Sequence, residues 1–191
     1  MANGKSCVTV HMVASLDGFI ARTDGSVDWL EVKDTFEGGE TLDADTVRNF
    51  LASIDCYVMG ARTYELALDF EARGFGWAYG DKPTFVLTHR TLPKKRDTVE
   101  FHAGDLATFV NERLRPSFRG IWVVGGGAVT GDCLRLGLVD EVRYSIVPIL
   151  ISEGIPFFGA LDADIALHLT ESKAYATGMV ALCYEVQVKT R

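Results

Sequence analysis

The sequence predicts an α/β sandwich built around a mixed sheet. Short β-branched apolar runs alternate with stretches of helical periodicity through the first two thirds of the chain. Glycine repeatedly separates a strand-like run from the helix after it, and the last third changes to strands paired around Thr177-Gly178. The 191 residues, 48% apolar and 24% charged, have the composition of an ordinary globular chain and are expected to form one domain over residues 1–191.

Each element has its own signal. Residues 5–16 are β-branched and apolar, a strand of the buried kind, closed by turn signals at Asp17-Gly18 and Thr23-Asp24-Gly25-Ser26. Asp43-Ala44-Asp45 caps a helix whose apolar positions Val47, Phe50, Leu51 and Ile54 keep helical spacing. Residues 56–59 form a second strand closed by Gly60, and 61–70 a second helix ending near Gly74. Residues 84–87 and 98–101 are further strands. A helix with Leu106, Phe109, Val110 and Leu114 on one face comes next. Residues 121–124 then lead through Gly125-Gly126-Gly127 into an amphipathic helix reaching Leu136. The chain is expected to close with a long strand over 139–151 and a hairpin of 165–174 with 179–189.

Nineteen basic against 26 acidic residues leave a net charge of −7. No basic stripe of the kind that holds nucleic acid is present, and Lys94-Lys95-Arg96 beside Pro93 reads as a solvated turn. No apolar run approaches the roughly 20 residues needed to span a bilayer, and the first residues lack the apolar stretch of a signal peptide. Cys7, Cys56, Cys133 and Cys183 lie scattered in apolar segments without CxxC spacing, so free buried thiols and a cytoplasmic location are expected. His11, His89, His102 and His168 show no metal-ligand spacing.

The chemistry concentrates at strand ends. Gly125-Gly126-Gly127 lets the backbone approach another group and leaves amides open at a helix start. That suits a phosphate, or else only a tight turn. Thr130 stands where a Rossmann fingerprint needs its last glycine, and no Gly-Lys-Ser/Thr follows, which disfavours nucleotide triphosphatases. Gly60-Ala61-Arg62-Thr63 and Leu87-Thr88-His89-Arg90 each set a hydroxyl and a cation just past a strand end. Convergence of these junctions on the carboxyl edge of the sheet would make a dinucleotide site.

Six segments, in this order, resemble the dihydrofolate reductase-like superfamily, and most closely the C-terminal reductase domain of the bifunctional riboflavin-biosynthesis deaminase–reductase. They are residues 14–21 (Ala-Ser-Leu-Asp-Gly-Phe-Ile-Ala), 25–29 (Gly-Ser-Val-Asp-Trp), 58–65 (Val-Met-Gly-Ala-Arg-Thr-Tyr-Glu), 86–88 (Val-Leu-Thr), 123–127 (Val-Val-Gly-Gly-Gly) and 138–141 (Leu-Val-Asp-Glu). The resemblance spans residues 7–188. It implies a three-layer sandwich with a mostly parallel, mixed eight-stranded sheet, a C-terminal antiparallel hairpin, and NADPH bound across the strand ends.

By this resemblance Ala14 and Ile20 line the nicotinamide site, and Gly60, Arg62 and Thr63 hold phosphates of the adenosine half. Thr88, His89 and Arg90 flank the adenine ribose, and Gly125, Gly126, Gly127, Ala128 and Val129 receive the pyrophosphate. Arg62 and Arg90 favour NADPH over NADH. Dihydrofolate reductases carry arginine directly after the glycine, where this chain has Ala61, so Arg62 is displaced by one position. Candidate proton donors are Asp34, which keeps the spacing of the bacterial catalytic carboxylate after Trp29, and Asp28. Trp29 is expected to wall the pocket, and Asp17 is a substrate-side candidate in an Asp-Gly turn. Trp77 and Tyr79, in the aromatic stretch 75–80, are expected either as a flap over a planar substrate or at a subunit interface.

The resemblance therefore implies an NADPH-dependent oxidoreductase acting on a small heterocyclic or carbonyl substrate. Riboflavin-pathway reductases carry an acidic residue before the glycine loop, where this chain has Val124, and the deaminase zinc motif is not expected here. A dihydrofolate reductase and a non-catalytic nucleotide-binding module are the alternatives. The related reductases imply a homodimer, with residues 139–151 and 155–158 as the candidate contact surface.

Overall fold

The structure, a computed structural model, describes residues 5–31 and 34–187. Its centre is an eight-stranded sheet in the order β5-β4-β3-β6-β1-β7-β10-β9. The strands are β1 (Cys7–Ser15), β3 (Cys56–Gly60), β4 (Thr84–Leu87), β5 (Val99–His102), β6 (Gly120–Gly125), β7 (Glu141–Val147), β9 (Leu167–Ala174) and β10 (Val180–Val186). The first six run parallel; β10 is antiparallel to both β7 and β9. A separate two-stranded ribbon joins β2 (Phe19–Ala21) to β8 (Ile155–Pro156).

Alternation along the strands explains why both faces are covered. In β3, Cys56 and Val58 point into one core and Tyr57 and Met59 into another; in β6, Ile121 and Val123 are set against Trp122 and Val124 in the same way. The first core closes over Phe109, Val110, Leu114, Cys133 and Leu134. These come from a π-helical turn over Phe109–Leu114, flanked by α3 (Leu106–Thr108) and α4 (Arg115–Ser117), and from α5 (Gly127–Arg135). The second core is closed by Ile54 and Tyr64, the latter from α2 (Ala61–Ala72).

The α1 helix (Ala44–Ser53) starts where the sequence places it, with the Asp43 carboxylate accepting the Thr46 amide at 2.6 Å. Its apolar stripe does not behave as a core stripe. No residue of α1 is fully buried, Val47 and Leu51 are 44% and 37% exposed, and only Ile54, just past the helix, is packed away.

The expected long strand 139–151 is shorter. Pro148 has no amide to continue the ladder, so β7 ends at Val147, and the Ile151 amide turns to the Asp17 carboxylate. Of the segments expected at a two-fold contact, β7 lies between β1 and β10 and Phe157 is buried against Tyr144 and Phe158 of the same chain, while Leu150 and Pro156 are exposed. The hairpin is present as β9 and β10; residues 188 and 189 lie outside the described residues.

β4, β3 and β6 are neighbours, with Gly60 opposite Leu87 and Met59 opposite Gly125. Their carboxyl ends therefore share one edge. Two glycines there are required by geometry. Gly125 sits at φ +128°, a region that side chains rarely adopt, and a Cβ on Gly127 would collide with the carbonyl oxygen of Pro156. Gly127→Ala should therefore lower the unfolding free energy by about 1–3 kcal/mol, read as a lower midpoint in equilibrium urea unfolding at unchanged slope.

Candidate functional site

At the shared edge, two helices begin on glycine. Gly60 caps α2 and Gly126 caps α5, and neither supplies a side-chain hydrogen bond to the first-turn amides. α1 and α3, which start elsewhere, are capped by the carboxylates of Asp43 and Asp105. Open amides and two partial positive dipole ends thus face one locality, which is the chemistry of an anion site.

Side chains lock the junctions together. The Thr63 hydroxyl accepts the Gly126 amide at 3.1 Å, joining the first turn of α2 to the glycine loop. The Thr88 hydroxyl accepts the Arg90 amide at 2.9 Å, and the Arg90 guanidinium reaches Glu65 of α2 through two bonds of 2.5 and 3.0 Å. All three junctions are therefore tied to α2. Arg62, His89 and Arg90 are exposed there, as is Ala128, while Val129 is half-buried and Gly125 and Gly127 are buried. Ala14 and Ile20, by contrast, are buried in the main core.

The carboxylate candidates sit in structural bonds. Asp17 accepts the amides of Ile151 and Ser152, and the Ser15 hydroxyl together with those amides holds its carboxyl below the usual range. Asp28 is paired with Arg22 at 2.7 Å, and that hydrogen bond keeps it ionised to low pH. Asp34 lies against Gly178 in the β9–β10 turn, where a Cβ on the glycine would stand 2.5 Å from Oδ2. Trp29 is buried against Val147 and Ile151, and its indole nitrogen has no partner.

Trp77 and Tyr79 pack within the chain. Tyr79 meets Tyr57 at a tilt of 58°, and Trp77 meets Tyr64 edge-on beneath the Arg96 guanidinium. Burial pushes the Tyr79 phenol up to about 12, so it stays neutral. Through Tyr57 this aromatic row reaches Trp122 at a centroid distance of 5.7 Å.

Beyond Trp122 lies a feature that the sequence reading does not anticipate: a cavity of about 310 Å³ between α1 and the sheet. His11 and Val13 of β1, Ser145 of β7 and Trp122 of β6 form its floor; Val47, Phe50 and Leu51 form its roof. Val13 is two residues short of Ser15, the carboxyl end of β1. His11 stacks on Trp122 at 5.5 Å, meets Phe50 edge-on at 4.9 Å, and lies 3.3 Å from the Ser145 hydroxyl through Nε2; its Nδ1 has no partner. Burial, reinforced by Arg143, lowers its pKa from 6.5 to about 4. Arg143 is itself held by Glu141 at 2.6 Å. The signal available in sequence is the interruption of an apolar strand by polar residues at alternate positions, Thr9 and His11.

The unfolded chain takes a proton on His11 as pH falls through 6.5, whereas the folded chain resists until about 4. Stability attributable to this neutral imidazole is complete above pH 6.5 and is lost toward pH 4, by up to about 3 kcal/mol. Urea unfolding at stepped pH should show that decline, and His11→Phe should flatten it.

The model of the RibD C-terminal domain matches residues 63–181. Among curated proteins, YwjB of Bacillus subtilis is 29% identical over 87% of this chain and 90% of its own length, and YyaP of the same species 25% identical over 93% of each. A Shewanella sp. PV-4 crystal structure, described provisionally as a riboflavin biosynthesis protein, superposes with a TM-score of 0.80 at 25% identity, covering 95% of this chain and 99% of that one. The Thermotoga maritima diaminohydroxyphosphoribosylaminopyrimidine deaminase/5-amino-6-(5-phosphoribosylamino)uracil reductase superposes at 0.66 with 15% identity, over 96% of this chain and 57% of its own, a likeness of fold. The family match covers well over half of the chain and agrees with the mixed sheet and its carboxyl-edge junctions: the chain belongs to the RibD C-terminal domain family.

Proposed function

We propose that this chain is an NADPH-dependent reductase that delivers a hydride to a small heterocyclic or carbonyl acceptor. The observation that carries this reading is the Thr63–Gly126 bond, which holds two uncapped helix N-termini side by side at one sheet edge. A pyrophosphate needs such a set of unclaimed amides, and the backbone amides of Gly127, Ala128 and Val129 would hold it beside Gly126, whose own amide is donated to Thr63. Gly60 and Thr63 would receive the adenosine-side phosphates, and Thr88 and His89 would flank the ribose. Arg90 shares its charge with Glu65, which leaves Arg62 as the principal partner for a 2′-phosphate. The reduced nicotinamide supplies the hydride; the part of this chain is to place the ring near Ala14 and Ile20 and to exclude water around it.

Asp28 and Asp17 are held as carboxylates by their partners and are poor proton donors at neutral pH. Asp34 stays the carboxylate candidate suggested by spacing. Family membership supports a reductase related to the riboflavin pathway. Val124, standing where those reductases are expected to carry an acid, separates this chain from their substrate.

NADPH should raise the melting temperature well above the shift given by equal NADH. Arg62→Ala should weaken NADPH binding roughly 10- to 100-fold while barely changing NADH, and Thr63→Val should cost about tenfold with either. Calorimetric titration checks both variants, and absence of stabilisation by either nucleotide overturns the proposal.

A further inference from the structure

The carboxyl edge of the sheet carries a negative charge where an anion is expected. α2 has three ion pairs, and two of them, Asp69–Arg73 and Glu71–Arg96, stand in its last turn. The third, Glu65–Arg90, stands in its second turn, close behind the uncapped start at Gly60. Residues three apart on a helix are neighbours, roughly 5–6 Å between Cβ atoms, so Glu65 also adjoins Arg62. One carboxylate thus serves two arginines of this edge: Arg62, exposed and in no ion pair of the described residues, and Arg90, three positions past the end of β4.

The geometry of the pair decides what Arg90 has left to offer. Its Nη1 donates to one Glu65 oxygen at 3.0 Å and its Nη2 to the other at 2.5 Å. That is the two-pronged fork with which a guanidinium best receives a phosphate, and a carboxylate already fills it. The Arg90 amide is held by the Thr88 hydroxyl at 2.9 Å, so the base of the side chain is fixed beside α2. A carboxylate near the start of a helix also subtracts from the dipole that favours anions. A ligand phosphate must therefore displace or share Glu65 to gain Arg90, whereas a ligand hydroxyl at the same position meets no such competition. Exposed ion pairs of this kind are worth roughly 0.2–1 kcal/mol, so the competition amounts to a few-fold in affinity.

We propose that Glu65 sets the dinucleotide selectivity of this chain: by occupying Arg90 it leaves Arg62 to recognise the 2′-phosphate and keeps the preference for NADPH over NADH smaller than two unopposed arginines would make it. The proposal rests on the reductase reading and adds to it a residue that acts against the ligand through Arg90. Glutamine is the informative replacement at this position. It keeps the length of the side chain and a carbonyl oxygen for one Arg90 N–H, and it removes the charge and the second acceptor that close the fork.

Calorimetric titration of NADPH and of NADH into the full chain at low salt tests this. Glu65→Gln should tighten NADPH about three- to fivefold and change NADH by less than about twofold. In an Arg90→Ala background the same substitution should gain less than about twofold with NADPH, because the charge that it releases is gone. Added salt should shrink the gain, as it screens an exposed pair. Weaker NADPH binding by Glu65→Gln would make Glu65 an orienting partner of Arg90 and overturns the proposal. So does an equal change for both nucleotides, no change for either, or a gain undiminished by Arg90→Ala. Each of those results leaves the reductase reading in place. Binding of neither nucleotide, by the unaltered chain or by the variant, removes that reading and the proposal with it.

Discussion

A single hydroxyl–amide bond organises the carboxyl edge of this sheet. Thr63 accepts the Gly126 amide, and in doing so fixes the start of α2 against the start of α5. The two helices follow adjacent strands, so their dipoles point to one place from slightly different directions. Had either begun on an aspartate, as α1 and α3 do, its own carboxylate would have filled the position where an anionic ligand can sit. Glycine at both caps keeps that position open, and threonine keeps the two caps in mutual register.

Behind this edge, the sheet has two different faces. One is sealed by α3, α4, α5 and the π-helical turn in a continuous apolar core. The other is sealed by α2 over β3, β4, β5 and part of β6; over β1, β7 and β10 it is roofed by α1, which reaches it through Phe50. The aromatic row from Trp77 through Tyr79 and Tyr57 to Trp122 marks the passage from the filled half to the hollow half. Ligand chemistry and core packing thus occupy the same sheet face, a few residues apart.

The parts legible in the sequence are those whose cause is local. A glycine after an apolar run, an aspartate before a periodic stretch and a Thr-Gly pair between two alternating segments each act over a few residues, and β3, α1 and the β9–β10 hairpin appear where such signals put them. The parts not legible depend on register. Val13 faces Ser145 because β1 pairs with β7 across more than a hundred residues, and the floor of the hollow exists only through that pairing. Pro148 was visible as a residue, yet its effect on β7 depends on Asp17 being near enough to take the freed Ile151 amide. Trp77 and Tyr79 carry a local signal for a flap or an interface, but their contacts with Tyr64 and Tyr57, distant in sequence, depend on the fold.

A roof that touches the floor beneath it through one side chain, Phe50, is free to diversify elsewhere. Substitutions along residues 44–53 other than Phe50 alter the outline of the hollow without reaching the ladder that holds β1 to β7, so selection on that one helix could retune the hollow while the carboxyl edge of the sheet is inherited unchanged.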